Sequence, residues 1–78
     1  MTAVHVGLEW TPYIKRVERS RVLEFVTMSG VEYELCGEGG QWVIRRTDRT
    51  NGRTVVTESS RGRPRDVQEV WRTVQLWG

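Results

Sequence analysis

The hydrophobic pattern of this chain changes period once, and that change limits what it can fold into. Through Glu58, apolar residues recur at every second position, in short runs divided by turn residues. From Pro64 onward they recur at helical spacing. Strands with one apolar face followed by a single amphipathic helix have a ready solution, in which the helix lies across an antiparallel sheet.

The strand signals differ in quality. Val4, Val6, Leu8 and Trp10 alternate with His5, Gly7 and Glu9, which reads as a half-buried strand that Thr11-Pro12 breaks. The stretch 13–20, with Tyr13, Ile14 and Val17, suits either one or two helical turns or an extended run into the next strand. Val22–Met28 is rich in β-formers, and Ser29-Gly30 supplies a tight turn. In the next segment, Val31–Cys36, the residues Val31, Tyr33 and Leu35 face one way and Glu32 and Glu34 the other. Gly37–Gly40 is a turn, Gln41–Thr47 a further strand, and Asn51-Gly52 a strong hairpin signal leading into Arg53–Glu58.

The helix is the clearest element. Pro64 fits its first turn, where Asp66 complements the dipole. Val67, Val70, Trp71, Val74 and Trp77 form one apolar stripe, with Arg65, Gln68, Glu69, Arg72 and Thr73 on the other side. The expected fold is therefore α+β: a four- to five-stranded antiparallel meander with a C-terminal helix, 64–77, packed across one face. It is expected to form a single small domain over 1–78, with 1–20 as an N-terminal strand or arm and 22–58 as the meander. The expected core holds Leu8, Leu23, Phe25, Tyr33, Leu35, Trp42, Ile44, Val56, Val67, Val70, Trp71 and Val74.

Length raises the demand on large side chains. A 78-residue chain is close to the size at which about 60% of the unfolded surface is buried and a core supplies roughly 3–5 kcal/mol. The four tryptophans, two tyrosines and one phenylalanine are the means to build such a core. Any aromatic that does not fit inside becomes a contact surface, which makes self-association an early expectation.

Catalysis lacks parts. Cys36 and His5 are the only residues of their kinds, they fall on different predicted strands, and no helix N-terminus precedes Cys36 to lower its pKa. One cysteine and one histidine match no metal-ligand spacing, and there is no phosphate-binding or dinucleotide fingerprint. Glu32 and Glu34 share a strand face, where pairing with cross-strand arginines is the ordinary role. The expectation is no enzyme, no cofactor, no metal and no small-molecule substrate. A balanced apolar content, with neither a long apolar run nor a basic leader, points away from a membrane, and the lone thiol points to the cytoplasm.

Charge leaves two binding classes open. Of the 12 basic residues all but Lys15 are arginine, and the formal net charge is only +2. Residues 1–44 carry four basic against six acidic side chains, whereas 45–78 carry eight arginines against four acids. A GC-rich coding sequence gives the same bias, as does selection for planar, bidentate donors. Arg45, Arg49, Arg53, Arg61, Arg63 and Arg65 are the candidate nucleic-acid contacts, Arg45 and Arg53 on the strand surface for base edges and the loop arginines Arg49, Arg61, Arg63 and Arg65 for phosphate. The order of three strands and a helix over 31–77, with arginines on the strands, resembles in topology the arm-site DNA-binding domains of phage integrases. That resemblance implies a DNA-binding role, regulatory or associated with a mobile element. Glu32 and Glu34 would then face the same phosphates.

The rival class is a protein-interaction module. Leu76 falls off the helix stripe and Trp77 lies one residue from the end of the chain. Val26 and Met28 fall on the face of their strand opposite Leu23 and Phe25, so that strand is apolar on both sides. Leu76, Trp77, Val26 and Met28 are the candidate contacts. A small non-enzymatic binding module, acting on a protein partner or on itself as a homodimer, is the primary functional expectation; arginine-mediated DNA binding is its alternative.

Overall fold

The computed structural model describes residues 10–15 and 19–77, the side chain of Trp77 excepted. Leu8, most of the strand expected over 4–10, and part of 13–20 lie outside the described residues. Five strands form one antiparallel sheet: β1 (Thr11–Pro12), β2 (Ser20–Met28), β3 (Val31–Glu38), β4 (Gln41–Asp48) and β5 (Val55–Glu58). Helix α1 (Pro64–Trp77) packs on one face. The strand order is β1-β5-β4-β3-β2, a meander from β2 to β5 with the short β1 added beside β5. The α+β architecture expected from the change of period is the one present.

Two tight turns set the register. Ser29 and Gly30 have φ of 50° and 82°, and Gly39 and Gly40 have 55° and 84°. Both central residues are left-handed in each turn, the geometry that matches the twist of a hairpin. Met28 therefore faces Val31, and Glu38 faces Gln41. The third connection differs from its sequence signal. At 51–52 only Gly52 is left-handed (φ 72°), and the loop runs from Arg49 to Thr54 instead of closing tightly at Asn51-Gly52. Asp48 organises it, accepting from the Thr50 N–H at 2.9 Å and the Thr50 hydroxyl at 2.7 Å. A side chain that caps its own loop in this way replaces the two-residue turn.

The core lies between the sheet and α1. Tyr33, Leu35, Ile44, Val67, Trp71 and Val74 are buried together, and Trp10, Val26, Met28, Val31, Trp42 and Val70 pack around them. Pro64 opens the helix, and the Arg63 carbonyl accepts the first N–H groups, from Asp66 at 3.0 Å and Val67 at 3.1 Å. Three of the twelve expected core residues sit elsewhere. Phe25 is 66% exposed and Leu23 38% exposed. Val56 is half-buried on the face away from the helix, opposite Thr47.

The strand β2 explains two of these. Val22 pairs with Cys36 and Glu24 with Leu35, so Leu23 is an extra residue in a β-bulge. Alternation fails across it. Val22 stays on the outer face with Cys36, while Glu24, Val26 and Met28 fall on the helix face with Leu35, Tyr33 and Val31. Phe25 is left on the outer face. Val26 and Met28, expected as outward contacts, instead pack against the core.

Beyond β5 the chain stays beside β4. The Ser59 N–H donates to the Ile44 carbonyl at 2.8 Å, and the Ser59 hydroxyl accepts the Ile44 N–H at 3.0 Å. Gly62 and Trp42 exchange two backbone hydrogen bonds. Arg21, Gly37, Trp42 and Gly62 thus form one row across four neighbouring strand segments. Two glycines flank the indole of Trp42 in that row.

Candidate interaction surface

The outer face of the sheet carries arginines, but they are neutralised in place. Arg45 Nε donates to Glu34 Oε1 at 2.8 Å, and its guanidinium lies 5.3 Å from the centre of the Tyr13 ring. The pair follows from register, since Glu34 and Arg45 are directly opposite on β3 and β4. Arg49 approaches Glu32 at 3.7 Å. Arg61 reaches over β4 to Glu38 on β3, with Nε 3.0 Å from Glu38 Oε1, and its Nη2 donates to Glu58 Oε1 at 3.1 Å. Glu38 and Glu58 are buried, and Arg61 is nearly so. Burial pulls the Arg61 pKa down, but its hydrogen bonds to Glu58 and Glu38 outweigh that and leave it raised. For Arg45, burial is again the largest influence, opposed by Glu34, with the same upward result.

The six arginines expected as nucleic-acid contacts are spread over both ends of the sheet, and four of them are in ion pairs. Arg45 and Arg61 are held in ion pairs. Arg63 pairs with Asp66 at 3.1 Å in the exposed first turn of α1. Arg49 and Arg53 sit at the end of the sheet that carries the Ser29-Gly30 turn, where the Arg49 N–H donates to the Gly30 carbonyl. Arg61, Arg63 and Arg65 sit at the other end, with Gly39-Gly40. The length of β4, roughly 23 Å at strand rise, separates the two groups. Of the six, Arg53 and Arg65 are the two without an ion-pair partner among the described residues.

The long edge of the sheet is different. The nine-residue β2 pairs with β3 on one side and has no strand on the other among the described residues. It presents Val22 at 45% exposure, Leu23 at 38% and Phe25 at 66%. An uncovered edge offers a row of backbone donors and acceptors, and natural sheets blunt such edges unless they are used. Here the edge is apolar on its outer side and charged at Arg21 and Glu24. Leu76, one of the expected contacts, is 82% exposed on α1; the Trp77 side chain lies outside the described residues.

Sequence reading missed Leu23 and Phe25 as surface residues, although for Phe25 a signal existed. A two-residue turn at Ser29-Gly30 forces Met28 and Val31 onto one face. Because Val31, Tyr33 and Leu35 are the apolar series, Val26 and Met28 must join them. Phe25 must then point away.

A second feature adjoins this edge. Arg19, Arg21, Leu23 and Trp42 surround an open depression of about 290 Å³ beside the Gly39-Gly40 turn. Cys36, by contrast, offers no chemistry at the surface. It is 1% exposed, and burial pushes its thiol pKa up, which favours the unreactive protonated form. Among the described residues, no helix is long and apolar enough to cross a membrane.

Compared with models of known protein families, with curated proteins and with solved structures, the chain matches none.

Proposed function

We propose that this chain is a small non-enzymatic binding module that acts through protein–protein contacts, with a partner or with a second copy of itself, at the β2 edge. The observation that carries this reading is the nine-residue strand that has no neighbour on one side among the described residues and exposes Val22, Leu23 and Phe25. A strand added there would complete backbone hydrogen bonds and cover the phenyl ring in one step. The buried Cys36 thiol is compatible with a reducing, cytoplasmic setting.

Sedimentation velocity over a wide concentration range, on the natural chain and on Phe25→Glu, tests the self-association form. Concentration-dependent dimerisation that Phe25→Glu abolishes supports the edge as the contact. Because Phe25 is mostly exposed, the substitution should change folding stability by no more than about 0.5 kcal/mol. Anisotropy of a labelled random duplex tests the DNA-binding alternative, which the paired arginines weaken. Tight binding with a salt slope that falls by about one unit for each of Arg53→Ala and Arg65→Ala would replace the protein-binding reading.

A further inference from the structure

We infer that the depression beside the Gly39-Gly40 turn receives an acidic side chain, presented by an extended segment of a partner protein lying along β2. This rests on the reading of β2 as the binding edge and adds the chemistry of the partner. The depression is continuous with that edge, since Arg21 and Leu23 belong to β2 and Arg19 immediately precedes it.

Charge comes first. Arg19 and Arg21 both line the depression, both are exposed, and neither has an ion-pair partner among the described residues. They differ in this from Arg45 and Arg61, whose guanidiniums are already held by carboxylates. The one carboxylate in the lining, Glu38, is buried and engaged with Arg61. The depression therefore presents two uncommitted guanidinium groups, the donors best matched to a carboxylate.

Shape comes second. The row Arg21–Gly37–Trp42 places no side chain between the arginine strand and the indole, because Gly37 stands there. A Cβ at Gly37 would lie 3.8 Å from both Leu23 and the Trp42 ring, so any longer side chain would fill the space between them. Gly40 opens the far side, with nothing within 4 Å of a Cβ built on it. A volume near 290 Å³ lies at the lower limit of small-molecule sites, about 300–1,000 Å³. It suits one or two side chains. A Glu or Asp of the incoming strand would meet Arg19 and Arg21, with a neighbouring apolar side chain against Leu23 and Trp42.

The experiment uses two end-blocked, fluorescein-labelled octapeptides, one alternating valine with glutamate and one alternating valine with lysine, measured by anisotropy at near-physiological salt. The acidic peptide should bind at least about tenfold more tightly than the basic one, the scale of one charge-assisted contact. Arg19→Ala combined with Arg21→Ala should remove that preference. The pair Arg53→Ala with Arg65→Ala, which removes the same charge elsewhere, should leave affinity within about twofold. Equal weakening by both pairs would mean unspecific attraction and would overturn the inference. Equal binding of the two peptides, lost in Phe25→Glu, would keep β2 as the edge and overturn the acidic pocket. Binding of neither peptide would overturn the pocket as a peptide receptor, and dimerisation through Phe25 would then decide the edge reading separately.

Discussion

The indole N–H of Trp71 donates to the Glu24 carboxylate at 2.9 Å, joining the middle of the helix to the outermost strand of the sheet. The two residues are 47 positions apart. Trp71 is 2% exposed, so its ring supplies packing while its nitrogen finds a partner at the rim. Glu24 reaches that rim because it follows the bulged Leu23 and shares the helix face with Val26 and Met28.

Trp71→Ala should therefore destabilise the chain by about 3–5 kcal/mol in denaturant unfolding, since it empties the centre of the core. Glu24→Leu removes only the acceptor, at an exposed rim, and should cost about 1 kcal/mol. Glu24→Gln keeps an acceptor and should lie close to the natural chain. A loss below about 1 kcal/mol for Trp71→Ala would refute the packing of helix on sheet.

The same pair shows where the sequence was legible. The helix stripe announced Val67, Trp71 and Val74 because burial on a helix follows spacing alone. The alternation in Val31–Cys36 announced Tyr33 and Leu35 for the same reason. Strand β2 hid its faces, because it is apolar at both parities and one inserted residue breaks the count between Val22 and Glu24. The candidate site was obscured by a different cause. Pairing of Glu32 and Glu34 with cross-strand arginines was legible as the ordinary role of those acids, but which arginine each takes depends on register, and register gives Glu34 to Arg45. Arg61 crosses a whole strand to reach Glu38, a relation that no local pattern contains.

Thr57 offers a stabilising substitution. Its hydroxyl oxygen is buried and has no hydrogen-bond partner among the described residues, and its residue lies opposite Arg46 on one side and Pro12 on the other. An unsatisfied buried hydroxyl costs free energy that an isosteric methyl does not. Thr57→Val should raise stability by up to about 1 kcal/mol, read as a higher midpoint at unchanged slope in urea unfolding. A destabilised variant would mean that the hydroxyl is solvated.

Asp48 links the β4–β5 loop to pH. Hydrogen bonds from the Thr50 N–H and hydroxyl, with a further contribution from Arg46, hold its carboxyl below the usual carboxylate range. A depressed pKa in the folded state means that the unfolded chain binds the proton more readily. The contribution to stability is present above the ordinary carboxylate range and is lost as pH falls through the folded value. Carboxyl-detected NMR titration should place Asp48 below the ordinary carboxylate range. Thr50→Ala should move Asp48 upward toward the ordinary value; an unmoved midpoint would show that Thr50 does not hold it.

The largest electrostatic effect belongs to Arg61. Its guanidinium lies between Glu38 and Glu58, both almost inaccessible to water, and forms an ion pair with each. Removing it as Arg61→Met keeps much of the aliphatic volume but takes from both buried carboxylates the guanidinium they share. Breaking a buried pair in this way costs about 3–5 kcal/mol. A domain of this size holds roughly that much in total, so Arg61→Met should be largely unfolded at neutral pH by circular dichroism. The loss should shrink when the carboxylates are neutralised. Adding Glu38→Gln and Glu58→Gln to Arg61→Met should restore a cooperative unfolding transition, since burying a neutral amide costs less than burying a carboxylate that has lost this guanidinium. If the single variant folds as well as the natural chain, water reaches Glu38 and Glu58. If the triple variant stays unfolded while the single one does too, Arg61 acts through the reach of its side chain over β4 and not through its charge.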